Sequence, residues 1–202
     1  MRKAYEMANI SFRLPHEIED DELREWLEEA MAKGKPGPEF QAIRAHTPGV
    51  MRSFTMSREW VYHHGVVDFD LKELLRAYIA LAGDCTYCAG QGVALGIRDD
   101  KSQLNDLLRF EDSTVYSTRE KLALRYADTI MWDPSLADDA MWKDLREEFT
   151  EPELVEIGYW VGFTFGGQRW LRTLASSQGQ LQEALDHAGE AAHVHSHNPH
   201  HD

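Results

Sequence analysis

Apolar residues along this chain recur at spacings of three and four, the period of one helix face. The first stripe is Ile18, Leu23, Trp26, Leu27, Ala30 and Met31, in a charged segment at 17–33, and Gly34-Lys35-Pro36-Gly37-Pro38 breaks it. A short helix is predicted over 38–46. Thr47 then offers a cap with Pro48 at the first helical position. The helix it opens carries Val50, Met51, Phe54, Val61 and Tyr62 and runs to Gly65. After a link at 66–69, Leu71, Leu74, Leu75, Tyr78, Ile79 and Ala82 form the next stripe. Gly83 ends it, as glycine often does at a helix C-terminus, and Asp84 is the predicted N-cap of the helix that follows. A further helix is predicted over 98–110.

Ser117-Thr118-Arg119-Glu120 is a capping-box pattern that opens a helix to about Trp132, and Asp133-Pro134 ends it. Residues 136–149 are predicted helical, with Met141, Trp142, Leu145 and Phe149 apolar. Thr150-Glu151-Pro152-Glu153 then supplies a cap, a proline and acids for the last long helix. Gly158, Gly162, Gly166 and Gly167 give that helix a row of small residues, expected to allow close helix–helix packing. From Ser176 the chain turns polar, and the His-rich stretch at 192–202 is expected to be disordered. Such a segment binds Ni²⁺ or Zn²⁺ loosely, without implying a functional site. There is no sustained period-two alternation, no G-x-G-x-x-G and no P-loop. The expected fold is all-α: one domain, an orthogonal bundle of about eight helices.

Composition narrows the function. At 202 residues the chain is long enough for one domain with a substantial core. Its formal net charge of -14 disfavours nucleic acid and anionic membranes as partners. No apolar run approaches the length of a membrane span, and the start has no signal-peptide pattern, so a cytoplasmic protein is expected.

The two cysteines, Cys85 and Cys88, form a C-x-x-C. Two cysteines in a chain this long are not a disulfide framework, and a lone C-x-x-C without a second ligand pair is a weak zinc site, so no metal or cofactor is expected. Near a helix start the pair reads as redox-active. With Asp84 as cap, both cysteines would occupy the first helical turn, where free N–H groups and the helix dipole favour a thiolate. The neighbouring Asp84 carboxylate opposes that. The helix start is expected to prevail at Cys88, and Cys85 stays open.

Glu73, eleven intervening residues and Cys85-x-x-Cys88 resemble the signature of the alkylhydroperoxidase D-like and carboxymuconolactone decarboxylase family. The resemblance continues through Leu122-Ala123-Leu124-Arg125-Tyr126-Ala127, Asp133-Pro134 and Phe149-Thr150-Glu151-Pro152-Glu153-Leu154-Val155-Glu156. It covers roughly 35–175, which sets 1–34 apart as a helical extension and 176–202 as a helix end and tail. The resemblance implies a peroxidase that assembles as a homo-oligomer, a trimer or a hexamer. In that family the cysteine matching Cys88 attacks the hydroperoxide, the one matching Cys85 resolves it into a disulfide, and the glutamate matching Glu73 belongs to a proton relay. A dithiol carrier, lipoamide- or thioredoxin-like, restores the thiols.

One relay member is missing. The family pattern has a histidine four residues after the second cysteine, where this chain has Gly92, preceded by Gln91. Gln91 could donate a hydrogen bond but does not titrate near neutrality. His63 and His64, one helix upstream, are candidates to replace the histidine, set against a surface or capping role. Tyr87, inside the motif, either lines the pocket or packs. Helical spacing alone puts Glu73 off the cysteine face. The alternatives are a lactone decarboxylase, which needs no C-x-x-C, and a non-catalytic protein with a degenerate relay.

Overall fold

The computed structural model of the chain describes the backbone of residues 8–93 and 106–196, and the side chains of 8–89 and 106–188. Among the described residues there are nine α-helices and no strand: α1 Asp21–Lys33, α2 Pro38–Arg44, α3 Pro48–Ser57, α4 Phe69–Ala82, α5 Thr86–Val93, α6 Thr118–Trp132, α7 Asp139–Glu148, α8 Glu151–Thr173 and α9 Gln180–Ser196. The all-α expectation holds. Most of the helix expected over 98–110 lies outside the described residues; its end is a short 3-10 turn, Leu107–Arg109.

The chain divides into two compact units, Met1–Phe54 with Leu171–Asp202, and Thr55–Trp170. In the first, the Asp20 carboxylate accepts from the Leu23 N–H and caps α1, and Gly34, at φ 67, ends it. The stripe read from the sequence is the buried one: Ile18, Leu23 and Leu27 pack with Ala42, Ala45, Met51 and Leu181. Leu181 belongs to α9, in the segment that turns polar from Ser176, ahead of the His-rich stretch at 192–202. A helix forms there because Leu181 and Leu185 fall one turn apart and meet this cluster.

The second unit holds both cysteines. Its core joins Leu71, Leu74, Leu75, Tyr78 and Ile79 of α4 to Leu122, Leu124 and Ala127 of α6, Leu145 of α7, and Leu154, Ile157, Trp160 and Val161 of α8. The capping box at Ser117 is formed, with Glu120 reaching back to the Ser117 N–H. The Glu153 carboxylate likewise accepts from the Thr150 N–H and hydroxyl at the start of α8.

The glycine row of α8 does not mark close packing. A Cβ at Gly162, Gly166 or Gly167 would meet nothing within 4 Å among the described residues, and one at Gly158 would make only an ordinary contact with the Tyr126 hydroxyl. Gly162, Gly166 and Gly167 lie away from the core residues of α8, and among the described residues they admit no neighbouring helix. Gly162→Ala is therefore expected to stabilise the isolated chain by up to about 1 kcal/mol, the helix-propensity difference, read as a rise in urea midpoint. A fall would mean that another surface sits on this row.

Candidate active site

The local path of the chain at the cysteines differs from the expected one. The Gly83 N–H closes α4 onto the Ile79 carbonyl, and a Cβ on Gly83 would lie 2.7 Å from that oxygen. Gly83 itself keeps φ at -83, so the left-handed position passes to Asp84, at φ 53. That moves the helix start one residue on: α5 begins at Thr86, and Cys85, not Asp84, is the residue before it. The Cys85 N–H donates to the Ala80 carbonyl at 2.8 Å, and the Cys85 carbonyl accepts from Ala89 at 2.9 Å. Cys88 remains in the first turn of α5, where the helix dipole favours negative charge.

Cys85 and Cys88 are joined by a disulfide, with their Cα atoms 5.3 Å apart. Both are buried. Glu73 lies on α4 and is also buried. Its Oε1 accepts hydrogen bonds from the Tyr62 hydroxyl and, at 2.7 Å, from Arg76 Nε. Arg76 is the link to the cysteines: its Nη1 donates to the Cys88 carbonyl at 2.9 Å. One turn of α4 thus carries both ends of the connection, a carboxylate and the guanidinium that reaches α5. Spacing from Glu73 to the cysteines could not reveal this, because the connection runs through Arg76.

Tyr62 comes from a π-helical turn, Arg58–His63, that follows α3 where the sequence suggests an uninterrupted helix. Such turns occur often at functional sites because they re-aim side chains. The Tyr62 ring stacks on Trp160 of α8, with centroids 4.9 Å apart. Its other neighbour is the Arg58 guanidinium, 4.8 Å from the ring centroid. Burial, and then the Glu73 carboxylate, push the Tyr62 hydroxyl above its ordinary range, so it stays protonated and donates. Burial pushes the Arg58 guanidinium down, partly offset by Tyr62 and Glu73.

The other candidates are placed as follows. His63 is exposed and packs edge-on against the Tyr62 ring; partial burial, and then Arg58, lower its pKa. His64 is exposed and pairs with Glu59. Among the described residues no hydrogen bond joins either histidine to the cysteines. Tyr87 is half-buried. Gln91 and Gly92 lie on α5, but their side chains are outside the described residues. Tyr62, Arg58 and Arg76 were not singled out as site residues from the sequence. Arg76, three residues after Glu73, is the one with a readable signal: an i,i+3 partner of opposite charge.

Near this cluster a buried ion pair holds the loop that leads into α4. Lys72 Nζ donates to the Val61 carbonyl at 2.6 Å and to Glu156 at 2.9 Å. Glu156 also accepts from the Val66 and Val67 N–H groups. The carboxylate lies so close to Gly65 that a Cβ there would be 2.1 Å from its oxygen.

The fold is that of the alkylhydroperoxidase AhpD core. A peroxidase-related protein from Ralstonia eutropha JMP134 with that core superposes with a TM-score of 0.71 at 18% identity, over 87% of this chain and 94% of its own. An uncharacterized peroxidase-related protein from Silicibacter sp. TM1040 gives 0.70 at 17% identity, over 89% and 97%. The debrominase Bmp8 gives 0.66 at 17% identity, over 82% and 91%. No protein-family model matches the chain. Uncharacterized proteins from two strains of Mycobacterium tuberculosis are 29% identical to it over 89 residues, 43% of this chain; the match spans only 31% of those curated relatives' own length.

Proposed function

We propose that the protein is a thiol peroxidase of the alkylhydroperoxidase D type, working through Cys85 and Cys88. The observation that carries this reading is the buried chain from Tyr62 through Glu73 and Arg76 to the carbonyl of Cys88, beside a C-x-x-C whose sulfurs are within bonding distance. The Cys88 thiolate attacks the distal oxygen of a hydroperoxide. The O–O bond breaks, the alkoxide leaves with a proton as an alcohol, and Cys88 becomes a sulfenic acid. The Cys85 thiol then displaces water and the disulfide forms. A dithiol carrier reduces it by exchange and is itself oxidised.

Glu73 and Tyr62 hold the proton that the alkoxide takes. Arg76 fixes the carboxylate and ties it to the first turn of α5. In this reading Tyr62 takes over from the histidine that the family pattern has at position 92, as a donor rather than a base. The fold is shared with peroxidase-related proteins, which supports the class of chemistry. The reading also includes assembly on a three-fold and action in the cytoplasm, where dithiol carriers are kept reduced.

The test is consumption of cumene hydroperoxide with dihydrolipoamide as reductant. Wild type is expected to turn over, Cys88→Ser to fall to the rate without protein, and Cys85→Ser to stop after one oxidation. Turnover that survives Cys88→Ser would remove the proposal.

A further inference from the structure

Three buried polar atoms on α4 and α8 have no hydrogen-bond partner among the described residues: Arg76 Nη2, Thr164 Oγ1 and Gln168 Oε1. Their residues are 8%, 7% and 8% exposed. Thr164 and Gln168 are one turn apart on α8, and Gln168 Nε2 donates to the Arg76 backbone carbonyl at 3.4 Å, which sets this part of α8 against α4. Buried polar atoms of this kind are rare without an occupant.

Charge gives the occupant's sign. Around Tyr62 the cations are Arg58, Lys72 and Arg76, and the carboxylates are Glu73 and Glu156. Lys72 is paired with Glu156, and Arg76 with Glu73. Glu59 is turned to solvent and pairs with His64. Arg58 has the Tyr62 ring beneath it and no carboxylate in salt-bridge range among the described residues. One guanidinium is left uncompensated, and Arg76 has an unused edge. In a chain of net charge -14 this is a local excess of positive charge.

We infer that Arg58, with the Nη2 edge of Arg76, receives a carboxylate carried by the hydroperoxide substrate. A guanidinium offers forked donors that match a carboxylate. A hydroperoxide of an organic acid carries that carboxylate, whereas a neutral alkyl hydroperoxide leaves the guanidiniums unused. The inference rests on the peroxidase reading for its turnover arm only.

The experiment has two arms. The first compares oxidation rates of the reduced protein by linoleic acid hydroperoxide and by its methyl ester. Wild type is expected to favour the acid by about ten- to a hundredfold, the range for hydrogen bonds to charged groups. Arg58→Gln is expected to bring that ratio near one, Arg58→Lys to keep part of it, and Arg146→Gln, a surface charge control on α7, to keep it whole. The second arm measures decanoate and decanol binding to the disulfide form by calorimetry, which involves no peroxide chemistry. Decanoate should bind more tightly than decanol, and Arg58→Gln should abolish the difference. Equal rates for acid and ester in wild type, or a preference that survives Arg58→Gln, would overturn the inference. Decanoate binding that is lost in Arg58→Gln, in a protein that reduces no hydroperoxide, would keep the carboxylate site and remove the peroxidase reading.

Discussion

Glu73→Gln is expected to slow hydroperoxide reduction by about 10²–10⁴-fold, the contribution typical of a positioned proton-transfer group. Glutamine fits the same space and can still accept from Tyr62 and from Arg76 Nε. What it removes is the charge, and with it the capacity to take and return a proton. The same change leaves Arg76 a buried, uncompensated cation. Removing one partner of a buried pair costs about 3–5 kcal/mol, and the Glu73 and Arg76 side chains are only 2% and 10% exposed. Urea unfolding of the variant should show a loss of that order. Adding Arg76→Gln to Glu73→Gln should recover part of the stability and none of the rate. This separation distinguishes a proton-handling carboxylate from one that only holds the fold. A rate within twofold of wild type in a folded Glu73→Gln protein would remove Glu73 from the mechanism.

Lys72→Met should be the most destabilising change outside the cysteine site, by about 3–5 kcal/mol on the same ground. Methionine fills much of the volume of the lysine stem but leaves the Glu156 carboxylate without its cation, with only two backbone N–H groups to hold it. The Val61 carbonyl loses its lysine donor as well. The damage should spread in a definite direction. Glu156 anchors Val66 and Val67, the link between the π-helical turn that carries Tyr62 and the helix that carries Glu73. Amide exchange in Lys72→Met should therefore rise at 65–68 before it rises in α6. Uniform loss of protection across the unit would mean that the pair contributes to stability without specifically holding this link.

The helices were legible because their ends are written in short-range chemistry. The Ser117–Glu120 box and Thr150 with Glu153 each satisfy N–H groups within a few residues, and apolar stripes such as Leu71 to Ile79 face the core as read. The site was legible only where it is local. The C-x-x-C declares itself, but the cap before it was misplaced by one residue, because the left-handed position went to Asp84 rather than to Gly83. The link from Glu73 to Cys88 passes through Arg76, whose burial depends on α5 folding back onto α4 and on α8 covering it. Tyr62 enters through a π-helical turn, whose altered hydrogen bonding has no periodic signature in a sequence that already reads as helix. The α8 glycines show the opposite error: a pattern that usually means packing meets, among the described residues, only the Tyr126 hydroxyl, at Gly158. The polar end of the chain hid α9 because only two leucines one turn apart anchor it.

The central claim is that Cys85 and Cys88 are a working redox pair with Cys88 as the attacking thiol. The most direct measurement is mass spectrometry of the fully reduced protein after one equivalent of cumene hydroperoxide, with thiols trapped by alkylation. The account predicts loss of two hydrogens, a Cys85–Cys88 linked peptide, no alkylated thiol, and return of both thiols on adding dihydrolipoamide. Two alkylated cysteines after peroxide, or Cys88 carried on to sulfinic acid while Cys85 stays free, would contradict it.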